Sequence, residues 1–128
     1  MNLENYFEKT HGHGILATAD TDGNVDVAEY AKPHFMDDGT IAFIMSHKLS
    51  YNNLQSNPKG AYIFIETGDN KESKSGGIRI YLQKIREDHD QSLIQNLRRK
   101  TRNNASRESS LVFFEINHTR PLVGDGAL

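Results

Sequence analysis

The chain has 128 residues, 36% of them hydrophobic, with no cysteine and no tryptophan. A domain of this length buries roughly two thirds of its unfolded surface without a disulfide, and the missing cysteines exclude thiol catalysis, Cys-ligated zinc and Cys-ligated iron–sulfur clusters. The net charge of −2 supplies no positive field for nucleic acid or an anionic membrane surface; no apolar run approaches the ~20 residues that span a bilayer; and residues 1–7 lack the basic and apolar regions of an export signal, so a cytoplasmic protein is expected.

In chain order, residues 2–10 place Leu3, Tyr6 and Phe7 on one helical face, and Gly12 and Gly14 are expected to end that helix. Residues 15–19 read as a strand. The turn Asp20-Thr21-Asp22-Gly23-Asn24 carries the Asp-Gly signal of a hairpin, and a second strand over 25–32 ends or bends at Pro33. After the turn at Asp37-Asp38-Gly39 a third strand covers 40–45. A helix over 50–57 stops where Pro58 biases Asn57 away from helical geometry. A fourth strand is expected at 61–66, then a polar loop at 68–77. Ile78, Ile80 and Leu82 alternate with Arg79, Tyr81 and Gln83, the period of a half-buried fifth strand. Asp88-His89-Asp90-Gln91 resembles a capping box ahead of Leu93, Ile94 and Leu97 at helical spacing. A polar linker at 103–110, a sixth strand at 111–116 and a loose tail complete the chain. Six strands with short early connections favour antiparallel pairing, and closing them into a small barrel with flanking helices removes exposed edges.

The chemistry-bearing segment is Met45-Ser46-His47-Lys48-Leu49-Ser50-Tyr51-Asn52-Asn53. An apolar strand there runs straight into a helix start. Free amide N–H groups, a serine hydroxyl and a lysine ammonium at one point make an anion site, so a phosphate-bearing ligand is the first hypothesis. The plainer reading makes Ser50 an N-cap and Lys48 a solvated loop charge. His11 and His13 share a face if they lie on a strand, and the other histidines are scattered; no metal site is expected. The run Arg98-Arg99-Lys100-Thr101-Arg102 reads as a helix C-terminus suited to the dipole rather than as a nucleic-acid patch. The strand aromatics Tyr62, Phe64, Tyr81, Phe113 and Phe114 are expected in the core. No phosphate-binding P-loop, nucleophile elbow or His-Glu-x-x-His motif occurs.

The ordered set Gly14-Ile15-Leu16-Ala17-Thr18-Ala19, Asp22-Gly23, the 27–33 strand, Asp38-Gly39-Thr40-Ile41-Ala42-Phe43-Ile44-Met45 and Leu54-Gln55-Ser56-Asn57-Pro58 running into Ala61-Tyr62-Ile63-Phe64 resembles the FMN-binding split barrels of the pyridoxamine 5'-phosphate oxidase-related family, in its short single-domain members. The resemblance implies a mainly β chain: one antiparallel six-stranded split β-barrel domain over 1–128, its core at about 3–120 and a loose tail at 121–128. It implies a homodimer with FMN at the interface. Lys48, Ser50 and Asn53 would face the phosphate, with Leu49 beside them; Glu29, Tyr30, Ala31 and Lys32 would run along the flavin, and Met45 and Ser46 would continue that wall. Lys32, Lys84 and Arg120 are the cations that could face the reduced flavin.

There are departures. Oxidase members carry an arginine near position 28 to 29 and a lysine near position 50, where this chain has Ala28-Glu29 and Ser50. The family's substrate-gripping C-terminal segment has no counterpart, so vitamin B6 oxidation is not expected. The implied function is an FMN-dependent oxidoreductase or flavin reductase with a small-molecule substrate or electron donor. The alternatives are a non-catalytic FMN carrier or electron-transfer protein, and a haem-binding relative.

Overall fold

The computed structural model describes residues 2–68, 72, 75–101 and 108–126. Much of the polar loop expected at 68–77, much of the linker at 103–110 and the last two residues of the tail lie outside these. The elements are α1 (Leu3–Lys9), β1 (Gly12–Ala19), β2 (Val25–Glu29), β3 (His34–Phe35), β4 (Ile41–Ser46), α2 (Leu49–Ser56), β5 (Lys59–Glu66), β6 (Gly77–Asp88), α3 (Gln91–Thr101) and β7 (Ser109–Pro121). The strands form one antiparallel sheet in the order β2-β1-β5-β6-β7-β4-β3. Among the described residues there are therefore seven strands where six were expected. The extra one is the two-residue β3, which follows Pro33 and pairs with Ile41 and Ala42; the second strand itself stops at Glu29, three residues short of the expected end.

The sheet rolls so that both halves bury one face in a common core. Leu16 of β1, Tyr62 and Phe64 of β5, Ile78, Ile80 and Leu82 of β6, Phe114 of β7 and Phe43 and Met45 of β4 all belong to it. Tyr6 and Phe7 of α1 plug the open end, with the Phe7 ring 5.1 Å from Phe64 and 6.4 Å from Tyr62. A second cluster packs α3 against the opposite face of β4 and β7 through Ile94, Leu111, Phe113 and Ala42. β6 and β7 are twice the expected length, and their pairing shifts register between Tyr81 and Leu82 and again between Lys84 and Arg86. Such bulges bend and twist a strand pair; the first falls within the expected alternation and the second just where it stops, after Gln83. Tyr81 is not core; it stacks on His118 at 4.4 Å on the outer face. Arg98 is not a solvated helix end either. It is buried and donates to Ser109 Oγ.

Two glycines start β1 rather than ending α1. A Cβ at Gly12 would lie 2.1 Å from the Ile65 carbonyl oxygen, and one at Gly14 would lie 1.7 Å from the Tyr62 hydroxyl and 2.7 Å from the Tyr30 carbonyl oxygen. Bare backbone lets β1 lie directly over Tyr62. That hydroxyl can then reach the carbonyls of Tyr30 (3.0 Å) and Ala31 (3.2 Å). Burial, with the charge of Glu29 adding to it, pushes the Tyr62 phenol up, so it stays a protonated donor.

Gly14→Ala should cost about 1–3 kcal/mol in urea unfolding, the usual penalty for overpacking. Gly126→Ala, with nothing within 4 Å, should change stability by less than about 0.5 kcal/mol.

Candidate functional site

Past Glu29 the chain leaves the sheet, and residues 30–32 stand as a free wall. Three anchors hold them. Tyr62 grips two carbonyls, the Tyr30 N–H donates to the Gly14 carbonyl at 2.9 Å, and Lys32 Nζ donates to the α1 carbonyls of Phe7 (2.7 Å) and Thr10. Burial lowers the Lys32 ammonium. Its charge is committed to the end of α1, where a cation suits the helix dipole.

Opposite this wall β4 ends and α2 begins. Between them lies a cleft of about 430 Å³, within the usual size range of small-molecule sites. Eight of the ten expected site residues line it: Glu29, Tyr30, Ala31, Lys32, Ser46, Lys48, Leu49 and Ser50. Two do not. Met45 is fully buried in the core beside Phe43, with no part in the cleft lining. Asn53 is buried and donates to Thr18 Oγ1 at 3.1 Å, tying α2 to β1. Lys84 and Arg120 also lie elsewhere: Lys84 pairs with Glu87, and Arg120 donates to the Asp125 carbonyl.

The cleft has further walls that were not anticipated: Asp26, Ala28, His34, Phe43 and Ile44. The signal for Asp26 and Ala28 was present. Val25 and Val27 alternate with them along β2, so the two sets must face opposite ways. Phe43 and Tyr30 meet edge to face at 6.0 Å, forming an aromatic corner.

The start of α2 is the most polar part of the cleft. Its N-cap is Lys48, in extended geometry, with no side-chain hydrogen bond to the helix. Ser50 therefore does not cap the helix; it is the second helical residue, two positions past the cap, and its hydroxyl donates to Asp26 Oδ2 at 3.1 Å. The first-turn N–H groups of α2 thus lack a side-chain acceptor from their own cap, as an anion-binding helix start requires. Burial raises the Tyr30 phenol; Ser50 acts against that rise and the charge of Asp26 adds to it.

Behind the turn, His47 faces away from the cleft. It stacks on Tyr51 at 4.2 Å, and its Nε2 lies 2.7 Å from Ser110 Oγ. The same oxygen lies 2.6 Å from His89 Nδ1, and His89 Nε2 lies 3.1 Å from Glu87 Oε1. Glu87 also accepts from Tyr51, from Gln55 at 3.0 Å and from Lys84. A carboxylate can only accept, so His89 presents Nε2–H to Glu87 and, when neutral, takes the Ser110 proton on Nδ1. His47 Nε2–H then donates to Ser110. This chain clamps α2 and the turn before it onto β6 and β7.

No protein-family model matches the sequence, and no curated protein matches it. Solved structures match in shape. The chain superposes on an FMN-binding protein from Syntrophomonas wolfei with a TM-score of 0.72, at 22% identity, covering 94% of this chain and 84% of that one. An F420 reductase gives 0.66 at 16% identity, covering 91% and 94%. A protein from Lactobacillus delbrueckii assigned provisionally as a pyridoxamine 5'-phosphate oxidase gives 0.62 at 17% identity, covering 91% and 88%. The architecture is thus the split barrel of FMN-binding proteins, as the sequence resemblance implied, with one strand more than expected.

Burial acts to raise the Glu87 carboxyl, but hydrogen bonds from Gln55, Lys84 and Tyr51, with the charge of Lys84, outweigh it and hold it at about 2 against an ordinary 4.5. A depressed carboxyl stabilises the fold above its unfolded value and loses that contribution as pH falls through the folded one. Urea unfolding should therefore show stability dropping between pH 4.5 and 2, and Glu87→Gln should flatten that drop while lowering stability at pH 7 by about 1–3 kcal/mol.

Proposed function

We propose that this protein binds FMN in the cleft between residues 28–32, β4 and the start of α2, as a homodimeric flavoprotein of oxidoreductase or flavin-reductase type. The observation that carries this reading is the helix start itself. In a barrel shaped like an FMN-binding protein, α2 opens on the cleft with no side-chain cap, flanked by Lys48, Ser46 and Ser50. The residues present fit the group. Lys48 and the α2 N–H groups would hold a phosphate. Tyr30, Phe43 and Ile44 offer an apolar and aromatic wall to a ring system, and the backbone of 28–32 offers polar edges.

When bound, the isoalloxazine would supply the redox chemistry. The chain's own residues would bind and orient it. Tyr62 and Lys32 keep the 30–32 wall rigid from behind, and the Glu87 clamp fixes α2. No side chain in the cleft is assigned a proton-transfer role, so a carrier or electron-transfer protein is the competing reading; turnover with NAD(P)H and an acceptor separates the two.

The dimer reading rests on the outer face of β2, β1 and β5. Val25 is 81% exposed, Val27 68% and Ile65 40%. Val25 pairs with Ala19, Val27 with Ala17 and Ala17 with Ala61, while Ile15 pairs with Ile63. Paired residues share a face, so this face is an apolar sheet surface of a kind that marks interaction sites. It backs the strand whose other face lines the cleft.

Purified protein, or protein incubated with excess FMN and dialysed, should show a bound flavin spectrum; a colourless product contradicts the reading. Lys48→Ala should weaken FMN about fivefold to tenfold, equivalent to about 1–1.4 kcal/mol, and riboflavin less than about twofold, by fluorescence titration. Val27→Glu should shift the dimer toward monomer in sedimentation at micromolar concentration.

A further inference from the structure

One group in the cleft opposes the ligand it is proposed to hold. Asp26 points from β2 toward the start of α2 and accepts a hydrogen bond from the Ser50 hydroxyl at 3.1 Å. Ser50 is 5% exposed, so solvent offers that hydroxyl little alternative. A hydroxyl has one proton to donate. While Asp26 holds it, Ser50 cannot donate to a phosphate oxygen. A phosphate entering beside Lys48 would also meet the carboxylate charge at close range.

We propose that Asp26 is an intramolecular competitor for the anion site: it occupies the Ser50 hydroxyl in the free protein and sets the phosphate charge the cleft accepts. The proposal rests on the flavin reading above and adds to it a residue that limits affinity. Asp26 is placed to act this way because β2, an edge strand hydrogen-bonded among the described residues only to β1, packs against α2 and so sets Asp26 beside Ser50.

A phosphate ester that keeps one proton can share it with Asp26 and approach Ser50. A dianion must displace the carboxylate and break its bond to Ser50. The cleft therefore favours the singly charged form of a phosphate monoester and resists the doubly charged form. The other titratable groups facing Asp26 across the cleft are Glu29 on β2, Tyr30 and Lys32 on the wall, His34 on β3 and Lys48 at the α2 cap. Lys32 is held by the carbonyls of α1, and Glu29 lies 3.4 Å from His13 Nδ1. Lys48 is thus the cation best placed to offset Asp26, and by itself it balances one carboxylate only.

The test compares wild type, Asp26→Asn and Asp26→Glu with FMN, riboflavin and inorganic phosphate at pH 8, where the phosphate group is a dianion. Asp26→Asn keeps the shape and removes the charge. It should tighten FMN at least tenfold, change riboflavin less than twofold, and tighten inorganic phosphate, titrated without flavin, by a factor similar to that for FMN. Asp26→Glu keeps the charge and should stay near wild type, which separates charge from packing. If Asp26→Asn leaves FMN unchanged or weaker, or tightens both flavins equally, the competitor role is wrong while flavin binding stands. If neither flavin binds wild type or Asp26→Asn, the flavin reading fails and takes this inference with it.

Discussion

The contact of Tyr62 beneath Gly14 organises the site. A tyrosine in the middle of β5 is core by its position, yet its hydroxyl passes under a strand with no side chain at that point. It emerges at the carbonyls of Tyr30 and Ala31. That passage joins the Tyr30 N–H and Lys32 in fixing the chain after Glu29, which has left the sheet. With it, a wall made mostly of backbone stands opposite α2 at a set distance. A buried phenol lacking partners would be costly, so packing and site geometry are satisfied by the same bond.

The other side of the cleft is held by one core anchor and a set of polar bonds. α2 is only eight residues long, too short to be stable alone. Leu54 anchors it in the core, Asn53 ties it to Thr18, and Tyr51 and Gln55 fasten it to Glu87. These bonds all lie on faces turned away from the cleft. The helix start is left to Lys48, Ser50 and Asp26. The fold thus spends its polar partners behind the turn and leaves the turn itself available to a ligand.

Much of this was legible in the sequence. The helix at the N-terminus, the Asp-Gly hairpin, the 41–45 strand and the stop at Asn57-Pro58 follow from local chemistry, and they recur within a residue or two in the structure. Eight expected site residues meet in one cleft because they flank two short, locally determined bends. What was not legible depends on partners distant in the chain. Gly12 and Gly14 read as helix breakers until Phe64 and Tyr62 are seen against them. The full length of β6 and β7 depends on bulges that interrupt the two-residue period. Met45 and Asn53 share the site's segment but point elsewhere, Met45 into the core and Asn53 toward Thr18. Lys32 looked like a flavin-facing cation; only the position of α1 shows where its charge goes. Asp26 was hidden because its significance requires Ser50, 24 residues away.

The central claim is that the opening of α2 holds the charged end of a mononucleotide. Calorimetric titration of the wild-type protein with FMN and with riboflavin, which differ only in the phosphate, tests it most directly. The account predicts that FMN binds at least about tenfold more tightly, a difference of about 1.4 kcal/mol. Equal affinities for the two, or tighter binding of riboflavin, would contradict it.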